Sequence, residues 1–357
     1  MNKFCCHTYA LILLIMILSA CTDTENNIKY AGKITETNLS GHNIDLNGIF
    51  EPHRMTIIDT FLFISCLNGD YFFHILNLKT LKPIQNFGLK GRGPNEFLSP
   101  RLFNGQRIIN DNGANKVLIY DEGKNIISKI DIQKILTKDK NAITSEVVPT
   151  NMDFVSDIIF TNDSIAIYLP WGEKNNGRFS IYNYSLRKKY FTSYLPDLGF
   201  KVHSNNLYPI YNTGSASVNE GINKFVAIPV LMCELDFFDL TGNYLGSTII
   251  ERVKELEYAK NEAMIFTAPN IRYYISDIQS TPDIIYVLLT TKLYPDLRNN
   301  GFSEIFVFDW NGNPIEKFIL DREISTFCYD TEYKRFIGYS VNDLEGSFVE
   351  YKLDLKK

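Results

Sequence analysis

The chain of 357 residues has no block of clustered Lys or Arg, and its formal net charge of −5 becomes −6 once a leader carrying Lys3 is removed. Nucleic acid is thereby excluded as a main partner, because affinity for it rests on neutralising phosphates with grouped cations. Cysteine is scarce: beyond residue 21 only Cys66, Cys233 and Cys328 occur, an odd number lying far apart, each in or beside an apolar run. That pattern reads as buried free thiols, leaves one pairing open, and implies no disulfide framework. Catalytic signatures are missing as well. There is no HExxH, Walker loop or GxSxG, and GRGPNE (Gly91 to Glu96) lacks the third glycine of a dinucleotide fingerprint and sets a proline where a phosphate-binding helix would start. DWNGN (Asp309 to Asn313) has Leu320 where a calcium loop needs its bidentate acid, and His42, His53, His74 and His203 share no metal-ligand spacing. The sequence therefore calls for no cofactor and no metal. A regular alternation of helix and strand patterns, which a parallel α/β fold requires, is also missing; Glu251 to Phe266 and the shorter Asp131 to Leu136 read as helical insertions.

The first 20 residues are an address. Lys3 precedes an apolar run, Ala10 to Leu18, that is shorter than the roughly 20 residues needed to cross a bilayer. Leu18, Ser19, Ala20 and Cys21 resemble a bacterial lipobox, which makes Cys21 the expected lipidated first residue of the mature chain. Two or more acyl chains there would hold the protein durably, so the expected partner is a membrane and the expected location the bacterial cell envelope, as an outer membrane lipoprotein on the periplasmic or the exposed side. Residues 21 to 29 read as a flexible tether, and Asp23 and Glu25 resemble an acidic surface-export signal.

Aromatic residues make up 13% and hydrophobic residues 45% of the chain, ample apolar area for one large domain over residues 30 to 357. One pattern recurs there: an alternating apolar strand ending in Asp or Asn, a short turn, and another strand. It ends at Asn77, Asp121, Asn183, Asp239 and Asp309, at intervals of 44, 62, 56 and 70. These match or exceed the roughly 40 to 50 residues of propeller repeats. Gly123, Gly242 and Gly312 in the turns suit the positive φ of hairpins. A second pair of strands precedes each hairpin, as in MTIIDTFLFIS and DIQSTPDIIYVLL, giving four antiparallel strands per unit. The last unit, ending in SFVEYKLDL, lacks an outermost strand, which the segment between Tyr30 and Phe50 is expected to supply, closing the ring. A β-sandwich and a seven-bladed ring are the alternatives on repeat length.

The stretch GLKGRGPNEFLSP, Gly88 to Pro100, reads as a specified joint between two units, with positive φ expected at Gly91, Gly93 or both. With the following RIINDNGANKVLIYDEGKNIISKI it resembles an NHL-type propeller blade and its entry loop, and the full chain resembles the TolB-like six-bladed β-propeller lipoproteins. The resemblance implies an all-β six-bladed propeller and no particular activity.

In such a blade the first and third turns share one end, while the second turn and the connection to the next blade share the other. The long segments, Leu89 to Pro100, Lys134 to Thr150, Leu169 to Arg178, Pro196 to Glu220, Glu251 to Arg272 and Thr290 to Gly301, are assigned to the second end, which becomes the candidate binding face. On it Arg92 can fork onto a carboxylate and Glu96 can accept from hydroxyls, or Asn95 and Glu96 cap the loop while Arg92 pairs with a neighbouring blade. Trp171, Glu173, Tyr294 and Arg298 have the mixed aromatic and polar character of a recognition surface, to which Tyr208 and Tyr211 can add. Trp310, at the opposite end, reads as structural. Two functions follow: a non-enzymatic binding propeller for an envelope protein, peptide or carbohydrate, or an envelope enzyme acting on a sugar or peptide in the central mouth.

Overall fold

Apolar strands of three to ten residues, punctuated by Asp, Asn and Gly, pair with their sequence neighbours into hairpins. In the computed structural model of the protein, residues 28–46, 48–103, 107–148, 155–162, 165–170, 178–192, 214–229, 231–251, 272–293, 302–340 and 346–353 are described. They build six small antiparallel sheets arranged as a six-bladed β-propeller. No helix among the described residues is long and apolar enough to cross a membrane.

Blade 1 runs Pro52–Ile58, Phe61–Cys66, Phe73–Asn77 and Pro83–Phe87. Blade 2 has a split first strand, Pro100–Leu102 and Ile108–Asp111, then Ala114–Asp121, Ile126–Ile130 and Ile143–Val147. Blade 3 is Val155–Asn162, Ile165–Pro170, Ser180–Asn183 and Lys188–Phe191. Blade 4 is Gly214–Asn219, Lys224–Pro229, Cys233–Asp239 and Tyr244–Glu251. Blade 5 is Arg272–Ser280, Ile284–Leu293, Glu304–Asp309 and Pro314–Leu320, and blade 6 supplies Ile324–Asp330, Arg335–Ser340 and Ser347–Lys352.

The outermost strand of blade 6 comes from the other end of the chain. Three short strands open the described residues, β1 (Ile28–Tyr30), β2 (Glu36–Leu39) and β3 (His42–Ile44). β3 pairs antiparallel with Ser347–Lys352, placing Ile44 opposite Phe348, and so closes the ring as the sequence leads one to expect. The other two were not expected. β1 adds in parallel to the outer edge of blade 4 and β2 to that of blade 5, so one N-terminal strap caps three consecutive blades. Pairing begins at Ile28, within the segment expected to be a free tether.

The core is divided among the seams between blades. Phe63, Phe73, Phe97, Val117 and Ile119 fill the seam of blades 1 and 2, with Phe97 set edge-on to Phe73 at 5.0 Å. Phe179, Phe225 and Phe238 fill that of blades 3 and 4, the rings of Phe179 and Phe238 meeting edge-on at 4.9 Å. Burying each such ring is worth about 1.5–3 kcal/mol, which is why a chain with many aromatics suits wedge-shaped seams. Cys66 and Cys328 are free and buried between blades 6 and 1, and Cys233 between blades 4 and 5; burial, with the Glu51 charge beside it, pushes the Cys66 thiol up to about 12. Trp310 is buried and donates its indole N–H to the Thr281 carbonyl at 3.0 Å, the structural role expected of it.

The recurring Asp or Asn is a turn cap. At the end of the third strands of blades 1, 3, 4 and 5 its side-chain oxygen accepts backbone N–H groups of the turn: Asn77 from Thr80 at 2.9 Å, Asn183 from Leu186 at 2.8 Å, Asp239 from Thr241 and Asn243 at 2.9 Å, and Asp309 from Asn311 at 2.9 Å. In blade 2 the equivalent residue is Asp131, whose side chain accepts from Lys134 N at 3.1 Å and opens helix α1 (Ile132–Leu136). The hairpin at Asp121 is instead the second turn of that blade. The corrected series, Asn77, Asp131, Asn183, Asp239 and Asp309, is spaced 54, 52, 56 and 70 residues apart. This moves α1 to the end of the ring opposite the one expected, because Lys134 and the residues after it join the third and fourth strands of blade 2 rather than two blades. Gly242 and Gly312 do have positive φ, but in the Asp121 turn Asn125 takes it (53°) and Gly123 stays bare, since a Cβ there would lie 2.6 Å from that of Leu98.

Candidate functional site

The joint loop is held from both sides. Phe97 is buried between blades 1 and 2, and its N–H and C=O pair with Leu89 O and Gly91 N, each at 2.9 Å. The Glu96 carboxylate turns back to accept Gly93 N–H at 2.7 Å, so Glu96 caps the loop's own backbone. Positive φ falls on Asn95 (58°) rather than on Gly91 or Gly93. Those two glycines are needed for a different reason: a methyl at Gly91 would overlap the Glu96 carboxylate, and one at Gly93 would stand 2.9 Å from it. Blade 2 completes the clasp. Lys124 Nζ donates to Glu96 O at 2.7 Å, and the Asp121 carboxylate accepts from Leu98 N at 2.9 Å and Ser99 N at 3.0 Å. These residues do the tying that Arg92 was a candidate for; Arg92 itself is exposed. Beside the loop lies a recess of about 200 Å³ lined by Leu67, Asn68, Phe72, Lys90, Leu98 and Ser99. Trp171, Glu173, Tyr294, Arg298, Tyr208, Tyr211 and Cys21 lie outside the described residues.

A second cluster, which motif reasoning missed, sits on the axis. Arg107, at the mouth of the lower first strand of blade 2, crosses the ring to Asp277 in the first strand of blade 5. Asp277 Oδ1 accepts from Arg107 Nη2 and from Ile278 N at 2.9 Å, and Oδ2 accepts from Thr326 Oγ1 at 2.7 Å and Phe327 N at 3.2 Å. Arg54 Nε stands 3.7 Å away. Arg107 also donates to Met55 O at 2.6 Å, and Gln279 donates to Phe327 O at 2.6 Å and Met55 O at 3.2 Å, so blades 1, 2, 5 and 6 are tied at one point. Burial alone would raise the Asp277 pKa, but the Arg107 and Arg54 guanidiniums with the Thr326 and Phe327 donors more than offset it, and the carboxyl stays below its usual range. With its oxygens already taken by donors from the ring, this carboxylate is a keystone rather than a free acid or base. The signal in the sequence was a lone Asp in the apolar run of an innermost strand, which has to be paired. Nearby, burial first and then Arg54 push His53 down to about 3, so its ring is neutral.

A third cluster lies in the seam of blades 3 and 4. Arg178 Nη1 contacts Asp236 Oδ2 at 2.5 Å, and Ser247 Oγ donates to Asp236 Oδ1. The Arg178 guanidinium stacks over Phe179 at 5.2 Å and Phe238 at 5.3 Å. Glu234, on the same face of the same strand as Asp236, is buried, and its Oε1 has no hydrogen-bond partner. Burial and the Asp236 charge push its pKa up to about 8, with Arg178 acting the other way, so Glu234 holds its proton at neutral pH. Arg178 precedes the third strand of blade 3 and Glu234 lies at the start of that of blade 4, which puts the cluster toward the connection end.

The family described as TolB-like 6-blade propeller-like matches residues 33–332. No curated protein matches the chain by sequence. Among solved structures, a member of the DUF4221 family from Bacteroides vulgatus is similar in fold, with a TM-score of 0.57 at 10% identity over 89% of this chain and 97% of that one. The Kuenenia stuttgartiensis hydrazine synthase (TM-score 0.43, 13% identity, 86% and 96% covered) and the β-propeller domain of Myceliophteria thermophila Cps50 (Swd1) (TM-score 0.45, 9% identity, 88% and 99% covered) also match.

Proposed function

Because the chain belongs to the TolB-like six-bladed propeller family, we propose that it is a binding protein of the bacterial envelope, tethered through lipid on Cys21, whose connection end holds a protein, peptide or carbohydrate. The observation that carries this reading is the joint loop. A clasp of backbone and Lys124 bonds fixes it, yet it leaves Arg92 exposed in the same loop as Lys90, which lines the recess with Leu67. A rigid loop that presents a guanidinium next to apolar and polar groups loses little entropy on binding, and the fork of Arg92 suits a carboxylate. Exposed Tyr71 and Leu89 extend the apolar part of this surface. In the sequence Trp171 and Glu173 come after Ile165–Pro170, and Tyr294 and Arg298 after Ile284–Leu293, two strands that end on the same side.

Recovery of partners from solubilised envelope tests it, comparing the full chain with one shortened across 196–213 and 252–271. Loss of partner is expected, and equal recovery counts against this face. Fatty-acid labelling that vanishes in Cys21→Ser tests the anchor; a labelled variant overturns it. Glu234 favours a second reading, an envelope enzyme acting on a sugar or peptide, since a carboxylic acid protonated at neutral pH beside an arginine is what a general acid requires. Turnover by the wild type that disappears in a folded Glu234→Gln protein would support it, and turnover unchanged by that substitution would remove it.

A further inference from the structure

The N-terminal strap carries directional information. β1 runs parallel to Tyr244–Glu251, with Ile28 opposite Ser247 and Tyr30 opposite Ile249. That strand climbs from the third turn of blade 4 to the connection end, so the chain enters β1 from the side of the first and third turns. Lys29 Nζ confirms the level, donating to Asn311 O at 2.8 Å in the third turn of blade 5. Six residues lie between Cys21 and Ile28, seven steps along the chain and a reach of at most about 25 Å at 3.3–3.6 Å per residue.

The two ends of the ring also differ in charge. Among the described residues, the third turns of blades 1 to 3 expose Lys79, Lys82, Lys138, Lys140, Arg187 and Lys188 against one acid, Asp139. The first turns of blades 1, 4, 5 and 6 add Asp59, Glu220, Asp283 and Glu332, with Lys334, so the basic character is an arc over blades 1 to 3. Two apolar tips stand at the same end on adjacent blades, Leu186 at 59% exposure in the third turn of blade 3 and Ile222 at 46% in the first turn of blade 4. Among the described residues, the connection end exposes Asp45, Glu51, Asp70, Glu122, Glu251 and Asp321 against Lys90 and Arg92, and it exposes Phe50, Val147 and Phe302 as well, so charge rather than apolar exposure distinguishes the two ends.

The geometry points to a fixed posture: the first-and-third-turn end rests on the anionic surface of the membrane that holds Cys21, with Leu186 and Ile222 at the lipid interface and the basic arc over the headgroups, and the connection end faces away. Cations near an anionic surface and apolar tips in the headgroup layer act together with a lipid anchor where either alone is weak. This inference rests on the lipid anchor proposed above and adds the orientation that the anchor imposes.

The test is depth-dependent quenching on the full lipidated chain. It is reconstituted in phosphatidylcholine and phosphatidylglycerol vesicles that contain a quencher-bearing lipid. The native cysteines of the fold are buried, so a fluorophore can be placed at Lys140→Cys or, as a second probe for the same end, Thr331→Cys, and at Arg92→Cys for the other. The first strand of blade 1, with seven residues, spans roughly 23 Å at about 3.3 Å per residue, which separates the two ends well beyond contact quenching. Several-fold stronger quenching at 140 and 331 than at 92, falling when phosphatidylglycerol is left out, is expected. Equal quenching, or stronger quenching at 92, overturns the posture while leaving the anchor intact. A wild-type chain that floats with vesicles no better than Cys21→Ser overturns the anchor and the posture with it.

Discussion

Asp277 and Asp236 are both wholly buried, and each faces an arginine, Arg107 in one case and Arg178 in the other. Around Asp277 both oxygens are taken by donors from three blades, whereas the Arg178 and Asp236 pair shares its seam with a second carboxyl, Glu234, that has an oxygen left over. The consequence is opposite chemistry under equal burial: Asp277 is held ionised and Glu234 is held protonated. Burial by itself fixes neither state. The balance of charges does: two guanidiniums, Arg107 and Arg54, face one carboxylate on the axis, whereas in the seam Arg178 faces both Asp236 and Glu234.

The largest effect should come from breaking the fastening. Asp277→Ala takes the counter-charge from buried Arg107 and half-buried Arg54 and should cost about 3–5 kcal/mol in thermal or denaturant unfolding. A loss below about 1 kcal/mol, the size of a surface pair, would mean the axis does not tie the blades. Next comes the pH response of the seam. Glu234 has a folded pKa of about 8 against 4.5 for the free group, so the native state binds the extra proton between those values. Stability from this group is therefore full below about pH 4.5, declines as pH rises toward 8, and is flat above. Asp277 contributes in the opposite sense, its depressed pKa giving stability at neutral pH that is lost on acidification. Glu234→Gln should thus flatten the alkaline decline and gain on the order of 2–4 kcal/mol relative to wild type at pH 9; parallel stability profiles for the two proteins would refute it.

Two smaller effects concern the joint loop. Gly91→Ala should lose about 1–3 kcal/mol, because the new methyl must displace the Glu96 carboxylate, and Gly93→Ala somewhat less. Equal tolerance of both would show that Glu96 moves freely. Arg92→Ala should shift stability by less than about 0.5 kcal/mol while weakening partner recovery per folded molecule. A drop in melting temperature as large as that of Gly91→Ala would place Arg92 in the clasp after all.

Much of the ring was legible in the chain. Four-stranded units, six of them, and closure by the segment after Tyr30 follow from alternation and from the Asp or Asn that ends the third strands. The reading slipped one strand in blade 2, because Asp121 caps a second turn as convincingly as Asp131 opens α1, and a local capping signal carries no label for which turn it serves. The parallel strands β1 and β2 were invisible since IKY and ETNL hold only three or four residues and their partners supply the register. The axial cluster was hidden for a related reason. Arg107 and Asp277 are 170 residues apart, and only ring closure makes them neighbours. Of the candidate site, Glu96 as a loop cap was readable from its spacing to Gly93, while the clasp by Lys124 was not.

The strap has a consequence for how the chain is made. β1, β2 and β3 precede every blade in the chain, yet their partners lie at Tyr244–Glu251, Pro314–Leu320 and Ser347–Lys352, the last of these being the last strand among the described residues. These early strands must wait unpaired until the strands of blades 4 to 6 have been made, so closure of the ring is gated by Ser347–Lys352 and belongs to the slow class in which distant segments meet late. Any chain ending before Ser347 keeps an open ring with an unpaired edge. If the N-terminus is meanwhile held to a lipid surface, the last strand has to find it there, and maturation of the anchor and closure of the ring become successive steps of one assembly.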